Sequence, residues 1–135
     1  MLNMTNHIRE TYKDSAGLLR VISHPVRLAI LEILEANNEM CVCHLEAILG
    51  YRQAYLSQHL MCLRENELVS DRREGRNVYY RMKEKGVIPI IKETKKCTST
   101  KKIDFQAIDC NCPECESKIS KQEKSDQHRG KKING

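Results

Sequence analysis

Between Gln53 and Met82 the spacing of apolar side chains changes period, and few small folds accommodate that change. Leu56, Leu60 and Leu63 recur at i, i+4 and i+7, the inward stripe of an amphipathic helix running from about Gln53 to Glu65. Leu68 to Met82 then reads as two β-forming runs, Leu68-Val69-Ser70 and Val78-Tyr79-Tyr80-Arg81-Met82, around a turn-rich centre at Glu74-Gly75-Arg76-Asn77. Arg72, Arg73 and Arg76 give this hairpin a basic rim. Upstream, Cys41 opens a shorter helix that runs to about Leu49. Val42, Leu45, Ile48 and Leu49 form its inward stripe, and Gly50 stops it. Two short helices joined by Gly50-Tyr51-Arg52 and followed by a basic hairpin predict a helix-turn-helix with a wing.

The flanking segments supply more helix. Residues 5–22 carry Ile8, Tyr12, Ser15/Ala16 and Leu19 at helical spacing, a stripe able to pack on its own domain or on a second subunit. Ser23-His24-Pro25 reads as a helix start, with Ser23 as cap and Pro25 in the first turn, where its missing N–H costs nothing. Val26, Leu28, Ile30, Leu31, Ile33 and Leu34 surround the helix from Val26 to about Ala36, which makes it the central core helix. Asn37-Asn38 ends it with turn chemistry. A final helix is expected from Val87 to about Lys96, with Pro89 in its first turn. The predicted class is mainly α with a small β-hairpin (α+β).

The 135 residues suffice for one compact domain and a tail. With no Trp, one Phe and five Tyr, the core must be Leu, Ile and Val. No apolar run approaches the roughly 20 residues needed to cross a bilayer. The first residues carry His7, Arg9 and Glu10 and lack the apolar stretch of a signal peptide, so a cytoplasmic protein is expected. The net charge of +5 lies mostly in the tail, since ten of the 23 Lys/Arg but only six of the 18 Asp/Glu fall from Lys95 onward. Nucleic-acid binding therefore rests on the local basic hairpin, not on overall charge.

Seven cysteines, an odd number with no secretion signal, fit a disulfide framework poorly and metal ligation or redox sensing better. Cys41 and Cys43 are two apart. Inside a regular helix such residues point about 200° apart, so they can share one ion only where the chain is still extended. Cys41 ahead of the helix and Cys43 in its first turn meet that condition, and a helix N-terminus favours thiolates. The blander alternative is a pair of small buried hydrophobes. Cys110, Cys112 and Cys115 form a second cluster, C-x-C-x-x-C, able to fold around one soft ion. Cys62 and Cys97 are not expected to be ligands. His24 and His44 read as structural, and His59 as packing or hydrogen-bonding within its helix.

An ordered string of motifs resembles the ArsR/SmtB family of metal-responsive repressors, specifically its Cys-x-Cys thiolate subgroup. The string comprises Ser23-His24-Pro25-Val26-Arg27, Leu28-Ala29-Ile30-Leu31, Cys41-Val42-Cys43-His44-Leu45, Leu56-Ser57-Gln58-His59-Leu60, Leu63-Arg64-Glu65, and Arg73-Glu74-Gly75-Arg76-Asn77-Val78-Tyr79-Tyr80. It covers about residues 15–95. The resemblance implies a dimeric winged helix-turn-helix that represses an operon and leaves double-stranded operator DNA when a soft ion binds. As(III), Sb(III), Cd(II) and Pb(II) are the expected inducers, with Zn(II) as a further option; neither a membrane nor an enzymatic activity is expected. Residues 1–96 would then be the DNA-binding and dimerisation domain, and 97–135 a polar, largely flexible tail. Two departures stand out. Some arsenite sensors place a third Cys where this chain has Glu46, and cadmium and lead sensors often add Cys from an N-terminal arm that here has none. The tail cluster would complete the site or form one of its own.

The expected DNA contacts are Gln53, Ala54, Ser57, Gln58 and Met61 on the outer side of the second helix, and Arg72, Arg73 and Arg76 on the wing. Arg52, at a position where the family more often has Ser or Thr, would contact phosphate at the expense of a helix cap. Two alternatives share the residues but not the role: a redox or persulfide sensor of the same fold, and a thiol metallochaperone built on the tail.

Overall fold

The computed structural model describes residues 3–105. Within them the order is α1 (Met4–Ile22), α2 (Pro25–Asn37), β1 (Glu39–Cys41), α3 (Val42–Leu49), α4 (Gln53–Glu65), β2 (Val69–Glu74), β3 (Asn77–Met82) and α5 (Val87–Thr98). Cys110, Cys112 and Cys115 lie outside the described residues. Among the described residues no helix is long and apolar enough to cross a membrane.

The core gathers around α2, where Val26, Ile30, Leu31, Ile33 and Leu34 are buried. Leu45 of α3, Leu56, Leu60 and Leu63 of α4, Val69 of β2 and Val87 and Ile91 of α5 close on it. Burying such a side chain contributes about 1.5–3 kcal/mol relative to leaving it in water, so these positions fix how α4 sits on α2. Leu28, Ile48 and Leu49, expected to face inward, pack only at the margin of this cluster. The apolar stripe of α1 stays open to solvent, with Ile8 51%, Tyr12 64% and Leu19 50% exposed.

The start of α2 differs from expectation. The cap is His24, not Ser23: His24 takes extended backbone at φ −153° and ψ 132°, and its Nδ1 accepts the Val26 N–H at 3.1 Å. Ser23 instead ends α1. Either residue carries an acceptor, and the backbone conformation decided between them.

A second difference is the strand β1. Cys41 does not belong to the helix but ends a three-residue strand, with φ −75° and ψ 155°, and stands as the N-cap of α3. The sheet is therefore three-stranded and antiparallel, in the order β1-β3-β2. Glu39, Met40 and Cys41 oppose Arg81, Tyr80 and Tyr79, and Arg72 of β2 also opposes Tyr79. Because side chains alternate across a sheet, Met40, Tyr80, Val69 and Met82 face the core, while Glu39, Cys41, Tyr79, Arg72 and Arg81 share the other face.

Turns follow local chemistry. Gly50 ends α3 at φ +73° and donates its N–H to Glu46 O. Gly75, at φ +61°, takes the first position of the two-residue turn between Glu74 and Asn77, the glycine position of a II′ hairpin. After α4, Glu67 adopts φ +62° and the Leu68 N–H reaches back to Leu63 O at 3.0 Å. This is a Schellman-type stop in which a glutamate sits where glycine is usual.

Candidate nucleic-acid interface and thiol site

With Leu56, Leu60 and Leu63 fully buried, α4 has only one side left to present. That side shows Gln53, Ala54, Gln58 and Met61 exposed and Ser57 half-buried, the residue set expected to meet base edges. Arg52 stands at the N-cap of α4 with no side-chain cap hydrogen bond, so the helix start does forgo a cap. Tyr51 and Tyr55 are exposed beside these residues, 43% and 38%, with rings 5.0 Å apart. Sequence reasoning did not name them among the DNA-facing residues; Tyr51 lies ahead of α4, where no helical spacing links it to Tyr55.

The inner flank of α4 is anchored by a polar chain. His59 is buried, and its Nδ1 accepts from Arg27 Nε at 3.1 Å. Arg27 also donates through Nη1 to Val21 O at 2.9 Å, so one guanidinium joins the end of α1, the helix α2 and the recognition helix. Around it the rings stack: Tyr55 meets His59 edge-on at 4.7 Å, and His59 lies 4.3 Å from His24. Burial lowers the His59 pKa, helped by His24 and then by Arg27. The neutral imidazole is the form able to accept Arg27's proton, so electrostatics and hydrogen bonding agree.

On the wing, Arg73 and Arg76 are exposed. Arg72 is exposed as well, at 49% of its side chain, but it also has partners within the protein. It pairs with Glu39 of β1, bonds Glu74 at 2.7 Å, and lies over the Tyr79 ring at 4.5 Å. Arg64 of α4 similarly pairs with Asp71 of β2 at 3.0 Å, tying the recognition helix to the wing.

The thiols Cys41 and Cys43 stand at the junction of this sheet with α3. Cys41 is buried in extended backbone, and Cys43 is half-buried in the first helical turn. This is the backbone arrangement in which residues two apart can share an ion, so the pair suits two thiolate ligands. Among the described residues no group of three or more His, Cys, Asp or Glu could hold a metal. Cys62 is half-buried on α4, with Asn66 Nδ2 3.8 Å from its sulfur, and Cys97 is exposed near the end of α5.

A helix pair ending in an exposed polar recognition side, followed by a basic hairpin, defines a winged-helix DNA-binding protein. The family described as bacterial regulatory protein, arsR family, matches residues 24–71. The arsenical resistance operon repressor of Staphylococcus xylosus is 38% identical over 72 residues, covering 53% of this chain and 68% of that one. NolR from Sinorhizobium fredii, a solved structure, superposes with a TM-score of 0.61 at 34% identity, covering 75% of this chain and 98% of that one. A structure of reduced HlyU from Vibrio cholerae gives a TM-score of 0.57 at 34% identity, covering 68% and 99%. The chain belongs to the ArsR family: it is a DNA-binding transcriptional repressor of that family and not an enzyme.

Proposed function

We propose that this chain binds double-stranded operator DNA as a homodimer and releases it when a soft metal or metalloid ion is held by Cys41 and Cys43. As(III), Sb(III), Cd(II) and Pb(II) are the inducers that thiolates select, and Zn(II) is the borderline ion the same donors would accept. The observation that carries the reading is the extended backbone of Cys41 directly ahead of α3, with Cys43 in the first turn of the helix that precedes α4. The name of the S. xylosus relative, an arsenical resistance operon repressor, supports a metalloid inducer.

Two thiolates leave a soft ion short of ligands. The tail cysteines Cys110, Cys112 and Cys115 are the donors we assign to complete the site or to form a second one. On this reading residues 1–96 are the DNA-binding and dimerising body, 97–135 the tail, and the protein acts in the cytoplasm. Dimerisation is supported by the open apolar stripe of α1 and by an adjoining groove of about 660 Å³. Leu19, Pro25, Leu28, Ile91, Ile103 and Phe105 contribute to its walls.

Exposure supports a set of DNA contacts: Gln53, Ala54, Gln58 and Met61, with half-buried Ser57 among them, toward bases, and Arg52, Arg73 and Arg76 toward phosphate. Holding Cys41 and Cys43 on one ion fixes the start of α3 and biases the dimer away from the groove spacing that α4 needs. A coupling of about 1–3 kcal/mol gives a 5–150-fold loss of DNA affinity. The test is fluorescence anisotropy of labelled operator with added ion. Release by wild type and none by Cys41→Ser with Cys43→Ser is expected; intact release by the double variant removes these thiols from sensing.

A thiol-oxidation sensor of the same fold is the second reading, and the solved relative described as reduced HlyU is what favours it. Burial of Cys41 weighs against it, because oxidants attack exposed thiolates. Reversible DNA release by metal-free protein on mild oxidation would establish it.

A further inference from the structure

The register of the sheet places Cys41, Tyr79 and Arg72 in one row across β1, β3 and β2. Residues directly opposite in an antiparallel pair have Cβ atoms about 4.5–5.5 Å apart, so each member of the row touches the next. Tyr79 is the middle member, and both it and Cys41 are buried at 4% exposure on the face turned away from the main core. Arg72 closes the row: its guanidinium covers the Tyr79 ring at 4.5 Å and pairs with Glu39, two residues before Cys41 on β1. Besides its sheet pairing with β3, the strand that ends in the thiol is tied to the wing by side chains, through the Cys41–Tyr79–Arg72 row and the Glu39–Arg72 ion pair.

Resting on the reading of Cys41 and Cys43 as the sensing pair, we propose that Glu39, Tyr79 and Arg72 are positioning residues that transmit the state of Cys41 to the wing. Arg72 is then a strut and not a DNA contact. The physical reason is packing. An ion bonded to the Cys41 sulfur changes what fills the space beside Tyr79, and a close-packed interior must repack around such a change. Tyr79 and the Arg72 side chain over it must resettle, and Arg72 sits on the wing strand three residues before Gly75 in the turn. Arg73 and Arg76 move with that strand, so the phosphate contacts of the wing respond together with the recognition helix.

The experiment uses full-length protein and arsenite. Arsenite binding is followed by thiolate absorption, wing motion by amide hydrogen exchange of residues 72–78, and DNA affinity by anisotropy. Wild type is expected to bind arsenite with an altered wing exchange pattern, and Cys41→Ser to show no such change. Glu39→Gln keeps its size and removes the negative charge of the ion pair, and Arg72→Lys keeps its charge and loses the planar guanidinium over Tyr79, so both weaken the strut. They are expected to bind arsenite within twofold of wild type, yet to lose at least threefold of the arsenite-driven drop in DNA affinity. Unchanged wing exchange in arsenite-bound wild type overturns the proposal, as does undiminished release by both strut variants. If wild type fails to bind arsenite, the sensing role of the thiols falls first and this inference with it, an outcome distinct from binding without wing response.

Discussion

Replacing Arg27 by Met tests how the recognition helix is held. The side chain keeps an apolar stem of similar length and loses two hydrogen bonds, Nε–H to His59 Nδ1 at 3.1 Å and Nη1–H to Val21 O at 2.9 Å. The two losses are unequal. Val21 lies in the last turn of α1, and its carbonyl can turn to water. His59 is only 8% exposed and its acceptor nitrogen is stranded. One hydrogen bond from a charged donor contributes about 1.5–3 kcal/mol, and the stranded acceptor keeps its desolvation cost, so a loss of about 2–3 kcal/mol is expected. The partner variant His59→Leu removes the stranded group. The double variant should therefore be more stable than the sum of the single losses implies, by about 1 kcal/mol or more. Urea unfolding at one protein concentration measures this, since self-association adds to apparent stability. Single losses under about 0.5 kcal/mol, or strict additivity, would refute the claim that this pair anchors α4.

Acid should weaken the same anchor. His59 has its folded pKa lowered below the ordinary 6.5 by burial, His24 and Arg27, so the unfolded chain binds the proton first. Its contribution is intact above 6.5 and fades as pH falls through the folded value. A thermal midpoint that drops below pH 6.5 in wild type, and drops less in His59→Leu, is the expected record. Glu67→Gly relieves a left-handed residue and sacrifices only an exposed ion pair with Lys83, so stability in urea should rise by about 0.5–1 kcal/mol. A fall would mean the ion pair outweighs the strain. Arg73→Ala with Arg76→Ala should weaken binding to all DNA sequences alike and flatten the salt dependence by about one unit of slope for each phosphate left without its arginine. An unchanged slope would take the wing off the backbone.

Local patterns carried most of the fold. The bounds of α4 follow from the spacing of Leu56, Leu60 and Leu63, and the hairpin from β-forming runs around Gly75, because both signals lie within one element. The strand β1 was hidden for the opposite reason. Three residues carry no period, and Glu39–Cys41 is a strand only through its pairing with residues 79–81, far along the chain. The same distance hid the contacts of Arg72. By composition it is one more basic residue on a wing, and only the sheet register brings Glu39 and Tyr79 to it. His59 was legible as a packed or hydrogen-bonded residue, but its donor Arg27 lies on another helix and no spacing rule links them. That a helix begins at about Cys41 was legible from the stripe Val42, Leu45, Ile48 and Leu49, but that Cys41 itself ends a strand was not.

The central claim is that the thiol pair and the DNA surface are coupled, and coupling is reciprocal. The most direct measurement is the arsenite affinity of the protein free and bound to operator DNA, read by thiolate absorption at fixed salt. If an ion at Cys41 and Cys43 drives release, the DNA-bound protein must bind arsenite about 5–150-fold more weakly than the free protein. Equal affinities would contradict the account, however tightly arsenite binds.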